Sequence, residues 1–254
     1  MAQHGKEISA IILAAGVGRR LGAAADGRPK VLLEFGGRTL LERHLAALRS
    51  CGIEEVSITV GHGRDLIEAE VERLGWRDRV GLVHNPRYRE GSLVSLWAQS
   101  ARLRDGRPLL LMDGDVLYGP EMIARLVAAP GENVLLVDRG VEPGDEPVKI
   151  CFRDGRIVDF RKRPVHVHDW HGESVGFFRF SAAGAAALAD RCEAHVGQGR
   201  ADLEYEEAIR DLILAAPDRF GATDVTALPW IEIDFEADVV RARTEILPLL
   251  ERGA

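Results

Sequence analysis

Short apolar runs alternate with helix-period segments along the first half of the chain. "ISAIILAA" is followed by an amphipathic stretch at 40–49, "EVSITVG" by one at 65–74, "VGLVHN" by one at 92–104, and "PLLLMDGD" by one at 120–128 before "NVLLVD". Apolar runs of this length bounded by turn residues read as strands buried on both faces. Their alternation with helices predicts a parallel sheet, because parallel neighbours need a crossover between them. From Pro147 the rhythm changes. "PVKICFRDGRIVDFRKR" alternates on both sides of Asp154-Gly155, a hairpin signal. "SVGFFRF" adds a strand, 182–195 and 203–215 are helical, and "WIEID" opens a last strand-to-helix junction. The expected fold class is α/β: a single domain over 1–254 with a mostly parallel mixed sheet flanked by helices, Rossmann-like in arrangement.

In such sheets ligands bind beyond the carboxyl ends of the strands. Gly16, Gly18, the segment "HNPRYREG" and the turn "DGD" all follow predicted strands, so they are expected to share one rim. "LAAGVGRRLGAAADGRPK" carries more glycines and cations than a strand-to-helix turn needs, which suggests backbone approaching an anion. A P-loop would require G-K-[ST], which is absent. A dinucleotide fingerprint would require a third glycine one residue before Gly22 and an acid after "SITVGHG". In "LLLMDGD" the carboxylates of Asp113 and Asp115 are two apart, and an extended backbone would project them to one side, where they could hold a divalent cation. A plain exposed turn is the competing reading.

The 254 residues, 46% hydrophobic, suffice for a full core, and a net charge of −7 argues against nonspecific nucleic-acid binding. Cysteines 51, 151 and 192 are odd in number and widely separated, which suggests a reducing, cytoplasmic setting. "MAQHGKE" leads directly into the first strand, and no apolar run reaches the roughly 18 residues of a membrane span, so no membrane insertion is expected. His166, His168 and His171 in "RPVHVHDWH" lack a partner pair for zinc and suit a loop over the acceptor.

Leu13-Ala14-Ala15-Gly16-Val17-Gly18-Arg19-Arg20-Leu21 followed by Pro29-Lys30 resembles the L-A-A-G-x-G-x-R-L and P-K signature of nucleotidyltransferases with a glycosyltransferase-A-like fold, the nucleotide-diphospho-sugar transferase type. The likeness covers nearly the whole chain and is nearest to small phosphocholine and 2-aminoethylphosphonate cytidylyltransferases. It implies a triphosphate held by the loop, with Leu13, Ala14, Ala15, Gly16, Gly18 and Arg19 at the nucleotide and Arg20 and Lys30 catalytic. Arg19 stands at the variable position, where a solvated surface arginine is the simpler reading. Asn85, Ser92 and Ser95 in "NPRYREGSLVSLW" would close over the base, with helix capping the alternative for the serines.

The same resemblance implies Mg²⁺ on Asp115 and Asp234, with Asp113 nearby. It places Lys149, Glu173, Tyr205, Glu206 and Trp230 at the acceptor. Residues 1–140 would then be the nucleotide half and 141–254 the acceptor half. The implied activity is transfer of a cytidylyl group from CTP to a small phosphorylated alcohol or phosphonate, with pyrophosphate released. A sugar- or inositol-1-phosphate nucleotidyltransferase is the alternative. A molybdopterin-type enzyme usually shows A-G-G where this chain has Ala14-Ala15-Gly16, and a noncatalytic nucleotide sensor would not need the cations and aspartates. A homodimer is left open.

Overall fold

Residues 8–25, 27–140 and 146–252 are described by a computed structural model, with backbone alone for 23–25. The segment "MAQHGKE" and the boundary expected at 141 lie outside the described residues. The strands run in the spatial order Arg156–Arg161, Lys149–Arg153, Trp170–Phe180, Leu109–Asp113, Ser9–Ala14, Val56–Val60, Val80–His84. The four first-half strands of this path are mutually parallel. The long strand Trp170–Phe180 runs antiparallel to its neighbours and also pairs with Asn133–Asp138, which in turn carries Phe220–Asp224 in parallel.

Ser9–Ala14 lies at the centre and shows why the apolar run is unbroken. Ala10 and Ile12 enter one core with Leu41, Leu45 and Ile67 from the covering helices, while Ile11 and Leu13 face a second core with Leu93, Leu188 and Ile209. Both faces are dry, so alternation disappears from the sequence. A third, smaller core joins Leu21 of the glycine loop to Leu117, Ile231 and Val239. It fastens the loop to a two-stranded ribbon of Val116–Tyr118 and Trp230–Glu232.

Most expected helices appear within two residues of their ends, as Leu40–Ser50, Arg64–Arg73, Glu121–Ala128, Ala182–Gly197 and Tyr205–Ala215. The helix expected at 92–104 is instead two short helices, Ser92–Trp97 and Ser100–Leu103. Gln99 at the break is buried and its amide bridges two sheet hydroxyls, accepting from Ser57 Oγ at 2.8 Å and donating to Thr59 Oγ1 at 2.9 Å. That anchor pulls the backbone to φ −88°, ψ 10° and ends the first helix. Strands Val116–Tyr118 and Phe220–Asp224 have no counterpart in the expected pattern. The three cysteines are unpaired, two of them buried, and no described helix is long and apolar enough to cross a membrane.

Candidate active site

The carboxyl end of the central strand passes into the loop 15–18 and then into 3₁₀ turns over Arg19–Ala25. Gly18 has φ 64°, where glycine is favoured, and a Cβ there would stand 3.2 Å from Lys30 Cγ and crowd the lysine stem. Gly18 accepts from the Leu21 amide at 3.1 Å, which closes the turn. Among the described residues, the amides of Gly16, Val17 and Gly18 donate to no other group. A run of unpaired amides at the end of a parallel strand is what an anion-binding loop offers.

Over this loop Lys30 Nζ lies 2.9 Å from Asp115 and 2.6 Å from Asp234, and Arg20 lies 2.7 Å from Asp234 and 3.0 Å from Glu146. Burial alone would lower the lysine's pKa; the charges of Asp115 and Asp234 reverse that and hold it above its ordinary value. Asp115, Glu232 and Asp234 each offer an oxygen, all within 4.8 Å of one another. Partial desolvation at the cavity wall, with the charges of Asp115 and Asp234, raises the carboxyl of the otherwise solvent-exposed Glu232 above the usual carboxylate range.

Asp113 takes another course. It was expected beside Asp115 on an extended segment, but the chain turns at Gly114, whose amide donates to Leu13 O at 3.0 Å and whose carbonyl accepts from buried His44 Nε2 at 3.1 Å. The two carboxylates therefore part. Asp113 accepts from the Tyr205 hydroxyl at 2.6 Å and lies against Gly176, where a Cβ would overlap it. Gly176, at φ 78°, sits in an irregular stretch of Trp170–Phe180 that brings this strand up to the site. Burial, then Asp115 and Glu206, raise Asp113 well above its ordinary value.

One cavity of about 410 Å³ joins these parts. The loop, Lys30, Asp115 and Asp234 line one side, Ser92 and Ser95 another, and Lys162, Glu204, Tyr205 and Glu206 the wall from the second half. Leu13, Ala15, Gly16, Gly18, Arg19, Arg20 and Asp113 also line it, and Ala14 lines an adjoining pocket around the loop. Glycine loop, "REGS" and "DGD" thus share a rim as expected. Carboxylates outnumber cations on these walls, a feature the loop's arginines and lysine had masked in the sequence.

Several expected contributors are held by other groups or stand outside the main cavity. Asn85 is buried, donating to Ser95 Oγ at 3.0 Å and accepting from the Arg87 amide at 2.9 Å, so it braces the rim from beneath. Ser92 Oγ accepts from the Tyr205 amide at 2.9 Å and ties the 205–215 helix to the nucleotide half. Lys149 Nζ donates to Lys162 O at 3.0 Å and does not line the main cavity. Lys162, which the sequence reading passed over, does line it, paired with Glu204 at 2.9 Å. Glu173 and Trp230 line a neighbouring cavity, the indole N–H donating to Asp138 at 2.7 Å. The histidine loop lies away from both cavities: Asp159 holds its backbone at Val165 and His166, and His168 contacts His171 at 3.2 Å. His44 was missed, and Glu232, which beside Trp230 reads as a carboxylate of the acceptor pocket, stands instead with Asp115 and Asp234; only the alternation of "WIEID" hinted that Glu232 and Asp234 share a side.

Comparison with known proteins places this geometry in context. Residues 10–196 match the family model described as the MobA-like NTP transferase domain. A bifunctional IPC transferase and DIPP synthase from Rubrobacter xylanophilus is 30% identical over 236 residues, which is 91% of this chain and 50% of that protein. A CMP-5'-(3-aminopropyl)phosphonate synthase from Streptomyces rubellomurinus is 28% identical, over 96% of this chain and 40% of that protein. The chain therefore spans half or less of these relatives. The inositol-1-phosphate CTP transferase of T. maritima superposes with a TM-score of 0.79 at 22% identity, covering 96% of this chain and 95% of that one.

Proposed function

The chain belongs to the family of MobA-like NTP transferase domains, and from that premise we propose that it transfers a cytidylyl group from CTP to a phosphate or phosphonate oxygen of a small acceptor, with pyrophosphate leaving. The observation that carries this reading is the junction of Lys30 with Asp115 and Asp234 directly over a loop of unpaired amides. Cation, carboxylates and amides occur together where a triphosphate and its counter-ion meet.

Asp115, Glu232 and Asp234 fit a divalent ion: three oxygen donors within 4.8 Å of one another, a set whose mutual repulsion a cation would relieve. Mg²⁺ held there would neutralise charge on the phosphate oxygens. Lys30 and Arg20 would then exchange their carboxylate partners for the triphosphate, and Lys162, which lines the same cavity, would meet the acceptor's anionic group. The attacking oxygen carries no proton near neutral pH, so no general base is needed. Positioning and charge stabilisation supply the acceleration. CTP is favoured because two of the similar proteins are, by name, a CMP-phosphonate synthase and a CTP transferase.

Inositol-1-phosphate is a second acceptor reading, favoured by the T. maritima likeness. A pyrophosphate-release assay of the four NTPs against phosphocholine, 2-aminoethylphosphonate, inositol-1-phosphate and glucose-1-phosphate tests both. Release from CTP with one of the first three is expected. Release chiefly from another NTP with glucose-1-phosphate, or none at all, would overturn the reading.

A further inference from the structure

On the reading of the site as a cytidylyltransferase, we propose that its acceptor carries a primary ammonium group, recognised by the carboxylate of Glu206, and not a quaternary ammonium or a neutral polyol. Most carboxylates around the cavity are engaged by a cation or a hydroxyl, and Glu232, which is not, is solvent-exposed. Asp115 and Asp234 hold Lys30, Glu146 holds Arg20, Glu204 holds Lys162, and Asp113 takes the Tyr205 hydroxyl. Glu206 lines the same cavity from the first turn of the Tyr205–Ala215 helix. Its Oε2 is out of solvent contact and has no hydrogen-bond partner among the described residues. A buried carboxylate oxygen without a donor is rare and costly in a native structure, so a missing donor is the natural explanation.

The donor's chemistry follows from what surrounds it. A quaternary ammonium has no N–H to give and is recognised through the faces of aromatic rings. Here Tyr88 and Tyr205 are the rings that line the cavity. The Tyr205 hydroxyl is held by Asp113 and its ring meets Phe178 edge-on. Trp97 packs against the core, and Trp170 stacks on Phe152 with centroids 4.0 Å apart. Among the described residues, a cage of rings is therefore missing where an unfilled acceptor is present. The surplus of carboxylates on the walls favours a cationic donor over a hydroxyl, and an acceptor with an anionic phosphorus group at one end and –NH₃⁺ at the other matches Lys162 and Glu206 on one wall.

The test is kcat/KM at saturating CTP for 2-aminoethylphosphonate, ethylphosphonate, phosphocholine and inositol-1-phosphate, with wild type, Glu206→Gln and Glu206→Asp. Removing one partner of a desolvated charged hydrogen bond is expected to make the amine preferred over ethylphosphonate by about 100-fold in wild type, mainly through KM. In Glu206→Gln that ratio should fall to within a few-fold of one, and Glu206→Asp should recover part of it. Equal or better use of phosphocholine or inositol-1-phosphate by wild type, or an unchanged ratio in Glu206→Gln, would overturn the proposal. Should Glu206→Gln fail to melt cooperatively, the wild-type ranking decides alone. Pyrophosphate release from CTP with non-amine acceptors only would sink the ammonium proposal and leave cytidylyl transfer standing, whereas no release with any acceptor would sink cytidylyl transfer itself.

Discussion

Lys30 donates to Asp234 at 2.6 Å, joining the glycine loop's cation to a carboxylate 204 residues later in the chain. The pair is part of a cluster in which carboxylates outnumber cations, so a triphosphate with its counter-ion would draw the two partners apart. Lys30→Ala is expected to lower kcat for pyrophosphate release by about 10²- to 10³-fold, the usual loss when one stabilising donor to a developing charge is removed. A retained cooperative melt would show that the fold is intact. Near-normal turnover would remove the lysine from the chemistry.

Divalent-metal dependence follows from the grouping of Asp115, Glu232 and Asp234. Excess chelator should abolish activity and added Mg²⁺ restore it, and Asp115→Asn or Asp234→Asn should lose the response. Saturating Mg²⁺ should also stabilise the wild type, by about 2.7 kcal/mol at 100 times Kd, an effect read as a rise in Tm and missing from Asp234→Asn. Full activity in chelator would contradict the assignment.

His44 shapes the same site from inside the core. Its Nε2–H donates to Gly114 O while Nδ1 accepts from the Tyr118 hydroxyl at 3.0 Å, so it fixes the turn that separates Asp113 from Asp115. His44→Leu should weaken Mg²⁺ binding by about 10- to 100-fold, the size of effect typical of residues that orient metal ligands. Burial holds the imidazole's pKa down at about 4. Below its ordinary value near 6.5 the unfolded chain takes up a proton that the folded chain refuses. This contribution to stability is therefore complete above pH 6.5 and lost as pH falls toward 4. Urea unfolding of wild type should decline across that window more steeply than that of His44→Leu.

Asp159 is fully buried and receives Arg210 Nε at 2.6 Å together with the amides of Val165 and His166. Arg210→Met leaves that carboxylate without its counter-charge and should cost about 3–5 kcal/mol in denaturant unfolding. A loss below 1 kcal/mol would mean that the backbone amides suffice. Because the histidine loop hangs from Asp159, its proteolytic susceptibility should rise in the same variant.

Much of this site was legible because its local parts have local causes. Gly18 needs a left-handed turn, Lys30 follows a proline that sets its approach, and dry strands announce themselves as unbroken apolar runs. The remainder depends on which distant elements meet. Nothing near Asn85 indicates that its amide is consumed by Ser95 and Arg87, and nothing near Lys149 indicates that the hairpin sends Lys162 to the cavity instead. Asp113 and Asp115 look equivalent in sequence; a histidine 70 residues from Gly114 makes them different. Glu206 is assigned to the acceptor by resemblance alone, because the charge in "EYEEAI" by itself reads as solvated helix surface until the fold takes one carboxylate oxygen out of solvent.

The most direct test of the central claim is a crystal structure with CTP and Mg²⁺. The account predicts phosphate oxygens on the amides of Gly16 to Gly18, with Lys30 and Arg20 drawn from their carboxylates onto the triphosphate. A nucleotide bound elsewhere, with Lys30 still spanning Asp115 and Asp234, would contradict it.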